Sequence, residues 1–199
     1  MSNEAIVVVD MLYDFIDGSL ACEGAQEAVA KTAAMLACAA GGDENDEDGI
    51  AGIVPPVLFI CDHHPADHSS FKEFGGIWPA HCVQGTRGGA IHEDLVPYVT
   101  EELTFYKGCD RAVEQYSGFE GRNSAGQTLG EILELLGITT VKVCGIATEY
   151  CVLNTAKDLL AAGLKVEVLE DCLGYVSAEG HRSSLQQMKQ SGFKVKTSK

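Results

Sequence analysis

Three groups of residues in this chain have the types and spacing for chemistry. The first is Cys151, which follows the β-branched run Val141 to Cys144 by way of Gly145-Ile146-Ala147-Thr148. With Thr148 as a helix cap, Cys151 falls in a first helical turn. There, unsatisfied N–H groups and the helix dipole favour a thiolate and pull the thiol pKa below its free value of about 8.5. The same N–H groups suit an oxyanion formed when that thiolate attacks a carbonyl. A free cysteine placed at random is a small apolar filler; the strand-to-helix junction is what favours a nucleophile here.

The second group is Asp10 and Lys107. Asp10 ends the apolar run Ala5 to Val9, and Lys107 directly follows Phe105-Tyr106. A charge at the end of an apolar strand is costly unless it is paired or used. The two charges are read either as a structural ion pair or as catalytic groups. In the second reading the carboxylate takes the thiol proton and later delivers it to a leaving amine, while the ammonium steadies both anions.

The third group is Asp62-His63-His64, with His68 and then His81. Four of the six histidines fall between residues 63 and 81, a density unlike scattered surface histidines. On an extended segment Asp62 and His64 point to one side, because the side-chain period is two. With His81 they make one carboxylate and two imidazoles, a set that suits Zn, Fe or Mn and leaves coordination positions open. His63 points the other way and is expected to pack or face solvent. Trp78, the chain's single tryptophan, precedes His81 by three residues and is read as a stacking wall for a planar substrate.

These residues need a scaffold that brings strand ends together. Strands are expected at Ala5 to Val9, Val54 to Cys61, Leu103 to Tyr106, Val141 to Cys144, Lys165 to Leu169 and Phe193 to Lys196. Helices are expected at Ala25 to Ala40, Gln127 to Leu136, Glu149 to Ala162 and Ala178 to Gln190, with Gly137 and Gly163 as C-terminal caps. Continuously apolar strands interleaved with helices predict an α/β fold: a doubly wound, mainly parallel six-stranded sheet with helices on both faces, three layers in the Rossmann manner. In such folds ligands bind beyond the carboxyl ends of the strands, which is where Asp10, Asp62, Lys107 and Cys151 stand.

Composition narrows the function classes. A length of 199 residues fits one domain, 1–199, and the 46% hydrophobic content is that of a soluble globular protein. No apolar run approaches the roughly 20 residues of a membrane span, and the Asn3-Glu4 start is unlike a signal peptide. A cytoplasmic location with eight reduced cysteines is therefore expected. A net charge of −15 with no basic cluster argues against a nucleic-acid partner. The acidic, glycine-bounded segment 41–52 reads as a surface insertion rather than a calcium loop, since it lacks EF-hand ligand spacing.

Six stretches, VVVDMLYDF, DHHPADHSSF, WPAHCVQGT, FYKG, YSGFEG and GIATEYC, run in order from residue 7 to residue 151. Together they resemble the nicotinamidase (pyrazinamidase) branch of the isochorismatase-like cysteine hydrolases. The resemblance implies a catalytic triad of Cys151, Asp10 and Lys107 and a divalent metal ion, zinc first with Fe or Mn as alternatives, on Asp62, His64 and His81. In similar enzymes the residue at His68 sometimes adds a further ligand. It also implies a cis peptide between Ile146 and Ala147, an oxyanion hole from the Ala147 and Cys151 amides, and a pyridine ring enclosed by Phe15, Trp78 and Tyr116.

The expected activity is hydrolysis of nicotinamide to nicotinic acid and ammonia through a Cys151 thioester, in NAD salvage, with the ring nitrogen on the metal. The alternative is a related amidohydrolase acting on carbamoyl or ureido amides. The expected partner is a small-molecule amide, with neither nucleic acid nor membrane, and self-association is left open. Two features depart from the resemblance. One is the acidic insertion, and the other is His63, where an aromatic Trp or Phe is commoner.

Overall fold

The computed structural model describes residues 3–41 and 54–198. The acidic insertion expected at 41–52 lies outside them apart from Gly41, the last residue of a helix.

Six strands form one sheet: β1 (Glu4–Val9), β2 (Val57–Asp62), β3 (Thr104–Lys107), β4 (Thr140–Gly145), β5 (Lys165–Leu173) and β6 (Lys194–Lys196). Their spatial order is β3-β2-β1-β4-β5-β6, and every neighbouring pair is parallel. The helices are α1 (Tyr13–Ile16), α2 (Ala25–Gly41), α3 (Leu129–Leu135), α4 (Leu153–Ala161) and α5 (Ala178–Gln190). A five-residue π-helical turn over Thr148–Val152 runs directly into α4.

The strands are apolar on both faces because both are covered. Ala5, Val7 and Val9 of β1 pack in one core with α3 and α4. Ile6 and Val8, pointing oppositely, pack in a second core with α1 and α2. Burying each such side chain contributes about 1.5–3 kcal/mol relative to leaving it in water. Among the helices, α3 starts with a capping box in which Thr128 and Glu131 satisfy each other's backbone N–H groups.

All six expected strands and four of the five helices lie where the sequence places them. The short helix α1 was not expected, and the other differences are at boundaries. The helix expected from Glu149 is a π turn followed by α4, and β5 runs to Leu173, four residues beyond its expected end at Leu169. Gly137 and Gly163 have φ of 65° and 89°, as C-terminal caps require.

Strand order reverses direction between β1 and β4, so a crevice opens at their carboxyl ends. Gly145 closes β4 at this point with φ of 132°, and a Cβ there would lie 2.0 Å from the Val9 carbonyl oxygen. Only glycine allows β1 and β4 to approach this closely while carrying Asp10 and the Cys151 turn. Replacing Gly145 with Ala is therefore expected to destabilise the fold by about 3 kcal/mol through strain and overpacking. Urea midpoints would measure this, and a loss below about 1 kcal/mol would contradict the close-approach argument.

Candidate active site

Four neighbouring strand ends bring the candidate reacting groups together. Lys107 ends β3, Asp62 ends β2, Asp10 follows β1, and β4 leads through the cis Ile146–Ala147 peptide to Cys151. Asp10 adopts a left-handed φ of 50°, a conformation few non-glycine residues take and one found at functional turns.

Lys107 is 1% exposed and Asp10 wholly buried, so their charges must be balanced within the pocket. The Lys107 Nζ lies 2.9 Å from Asp10 Oδ2 and 3.4 Å from Cys151 Sγ, and it donates a hydrogen bond to Asp62 Oδ1. Asp10 Oδ1 accepts the Asp62 N–H at 2.8 Å, which fixes the carboxylate between β1 and β2. The Cys151 Sγ lies within 4.8 Å of a carboxylate oxygen of Asp10.

Protonation follows from this crowding. Burial, reinforced by the Asp62 charge, raises Asp10 to about 6 against the opposing pull of Lys107. Burial also disfavours the lysine cation, yet Asp10, Asp62 and Cys151 outweigh it and lift the Lys107 pKa well above the lysine range. Burial pushes the Cys151 thiol well above the usual cysteine value; Lys107 opposes the rise, and Asp10 and Asp62 add to it. The expected depression of the thiol pKa is therefore not met. The expected Thr148 cap is also absent: Thr148 opens a π turn, and its hydroxyl donates to the Gly174 carbonyl at 2.9 Å. Without a regular capped helix, desolvation and two carboxylates decide the pKa.

Beside these groups, the ligand atoms of Asp62, His64 and His81 lie within 4.8 Å of one another. The Nε2 atoms of His64 and His81 face Asp62 Oδ2 at 3.6 and 4.0 Å. Their Nδ1 atoms are taken up by backbone carbonyls, Gly108 at 2.9 Å and Pro79 at 2.8 Å, which fixes both rings with Nε2 inward. His64 Nε2 is buried with no hydrogen-bond partner, a costly arrangement that a cation would relieve. Burial would raise the Asp62 pKa, but Lys107 and His64 outweigh it and hold it well below the carboxylate range. One carboxylate and two oriented imidazoles fit a divalent cation.

The His68 ring packs against that of His64, 4.2 Å between centroids. Its Nδ1 contacts the Ser70 hydroxyl at 2.7 Å and its Nε2 the Val113 carbonyl at 3.2 Å, so both ring nitrogens are engaged elsewhere. His63 turns outward against the Tyr106 ring, 4.7 Å between centroids.

A single cavity joins the two groups. Its lining includes Cys151, Ala147, Asp62 and His81, together with Phe15, Trp78 and Tyr116. Trp78 Nε1 donates to Tyr116 Oη at 3.3 Å, tying two walls together. Sequence reasoning missed Tyr150, Leu20, Glu114 and Val176, which also line it. Tyr150 meets Trp78 edge-on at 5.0 Å between ring centroids, and its place beside Cys151 in GIATEYC was the signal available. Two further acids hold the walls in place. Asp14 accepts the N–H groups of Cys82 and Ser19, and Glu149 accepts those of Val176 and Ser177.

Comparison with known proteins agrees with this geometry. The isochorismatase domain matches residues 4–199. A nicotinamidase/pyrazinamidase of Mycobacterium tuberculosis is 36% identical over 188 residues, which cover 93% of this chain and 94% of that protein. The crystal structure of a pyrazinamidase of Pyrococcus horikoshii in complex with zinc superposes with a TM-score of 0.79 at 33% identity, covering 98% of this chain and 99% of that one. A protein of L. infantum in complex with nicotinate gives a TM-score of 0.83 at 27% identity, covering 100% of this chain and 95% of the other. With strand order, strand-end chemistry and the match along nearly its whole length in agreement, the chain belongs to the isochorismatase family.

Proposed function

We propose that this chain is a nicotinamidase, an amidohydrolase that converts nicotinamide to nicotinic acid and ammonia through a thioester on Cys151, in NAD salvage. The observation that carries the reading is the shared cavity, in which the Cys151 thiol, the metal-ligand candidates Asp62 and His81, and an aromatic enclosure meet. The M. tuberculosis relative bears the name nicotinamidase/pyrazinamidase, and the L. infantum structure holds nicotinate, the product of the proposed reaction. We further read the chain as one cytoplasmic domain. No helix among the described residues is long and apolar enough to cross a membrane.

Phe15, Trp78 and Tyr116 enclose the flat ring, and the carboxamide carbon faces Cys151. As Sγ attacks, the thiol proton passes to Asp10, whose pKa of about 6 suits a base working near neutrality. The Ala147 and Cys151 amides receive the developing oxyanion. Collapse breaks the C–N bond, Asp10 returns the proton to the departing ammonia, and a thioester remains. Asp10 then deprotonates a water that attacks the thioester, releasing nicotinate and restoring the thiol. Through both halves Lys107 keeps its charge and steadies the Asp10 carboxylate and the sulfur.

Asp62, His64 and His81 would hold a divalent ion, which when bound supplies a Lewis acid able to take a ring nitrogen as ligand. We assign it as zinc, in keeping with the zinc of the P. horikoshii relative, with Fe or Mn acceptable to the same donors.

Changing Cys151 to Ala is expected to lower kcat by more than ~10³-fold while nicotinamide still binds by calorimetry. Substantial hydrolysis by that variant would refute covalent catalysis. Stripping the metal is expected to act chiefly on substrate binding, raising KM. An unchanged KM in protein verified as metal-free would contradict this. In an ammonia-release assay, nicotinamide should turn over well ahead of benzamide, which lacks the ring nitrogen, and ahead of carbamoyl amides; a carbamoyl amide in first place would shift the assignment to that class.

A further inference from the structure

Asp62 stands between two cation cages. Its Oδ2 faces the Nε2 atoms of His64 and His81, whereas its Oδ1 accepts from Lys107. On the Lys107 side, the ligand atoms of Asp10, Asp62 and Cys151 also lie within 4.8 Å of one another, and all three residues are buried. Two carboxylates and a thiol would coordinate zinc or cadmium well, and the thiol would favour such an ion over magnesium or calcium. Asp10 Oδ2, wholly buried, lacks a well-formed hydrogen bond and points into this cage.

What stands among these donors is the Lys107 ammonium, 2.9 Å from Asp10 Oδ2, 3.4 Å from Cys151 Sγ and hydrogen-bonded to Asp62. We infer that Lys107 is the resident cation of a second metal cage, and that its ammonium keeps a thiophilic divalent ion off the nucleophile while the adjoining histidine cage takes the metal. This role is additional to steadying the carboxylate and the sulfur. It rests on the reading of Asp62, His64 and His81 as a metal site, and it is independent of which amide is cleaved.

An ion that entered the second cage would form one bond to sulfur and two to oxygen and would release the thiol proton to solvent. Cys151 would then be unable to attack. The danger is specific to this geometry, because Asp62 is shared and an ion in the first cage is one carboxylate away from the thiol. A fixed ammonium blocks the site both by occupying it and by repelling a second cation.

Cadmium tests the inference, because cadmium–thiolate charge transfer absorbs in the ultraviolet and reports the second cage directly. Full-length wild type, Lys107→Ala and Lys107→Ala/Cys151→Ser would be equilibrated with cadmium, and bound ions per chain counted after gel filtration. Exposed Cys38 and Cys109 contribute equally to all three proteins, so only differences are read. Beyond that shared background, wild type is expected to bind one ion without a Cys151-dependent band. Lys107→Ala should bind a second ion with a new band that disappears in the double variant.

Should Lys107→Ala fail to fold, Lys107→Gln, which keeps a side-chain donor between the carboxylates, carries the same expectation. A Cys151-dependent band in wild type, or no additional ion in the Lys107 variant that folds, would overturn the inference and leave the histidine site intact. Wild type that binds no cadmium would overturn the metal reading and the inference with it.

Discussion

A single ammonium, sealed from water and facing two carboxylates and a thiol, is the interaction on which the rest of this site depends. Lys107 cannot be hydrated where it lies, and neither can Asp10, so each is tolerable only because of the other. Burial is the main reason the thiol keeps its proton and its pKa rises; Lys107 opposes the rise, and the two carboxylates add to it. On the proposed mechanism the nucleophile is thus held neutral next to its base, and the proton moves only as a carbonyl arrives to accept the sulfur's electrons. An exposed thiolate would be permanently reactive toward oxidants; a buried thiol with a waiting base is not.

The sheet makes this cluster possible by its strand order. Lys107, Asp62, Asp10 and Cys151 come from β3, β2, β1 and β4, which are consecutive neighbours, so the four groups appear along the edge in the order their charges require. Parallel strands are about 4.8 Å apart, and Asp62 pairs directly with Lys107 in the register of β2 and β3. Only a long cationic side chain starting on β3 can pass Asp62 and still reach Asp10 and Cys151. A planar guanidinium would demand a different spread of partners. The choice of lysine thus follows from strand spacing as much as from charge.

Most of the fold was legible because strands buried on both faces need uninterrupted apolar runs, and α3, α4 and α5 announce themselves by periodicity and caps. The site was legible where charge interrupts such a run: Asp10, Asp62 and Lys107 each break an apolar strand at its end. What could not be read were properties set by non-local neighbours. The pKa of Cys151 depends on groups from three other strands, and the π turn at Thr148 depends on Gly174, 26 residues away. Likewise the contacts of His68 with Ser70, Val113 and the His64 ring are encoded by no local pattern. Glu114, at the cavity, had no sequence signal at all.

The division between strand ends and loops has a consequence for specificity. The groups proposed to move protons and electrons are fixed by the sheet, whose geometry a loop mutation barely touches. The walls come instead from connecting segments: Phe15 from α1, Trp78 from the loop before His81, Tyr116 from the loop after β3, Tyr150 from the π turn and Val176 from the loop after β5. Those segments are in turn tied by two acids, Asp14 bonding to Cys82 and Glu149 bonding to Val176 and Ser177. Changing the walls while keeping the strand ends would alter which amide fits without altering how it is cleaved. On the proposed function that separation would let one fold serve several amides: the chemistry sits on the rigid part of the molecule, and recognition sits on the part that tolerates change.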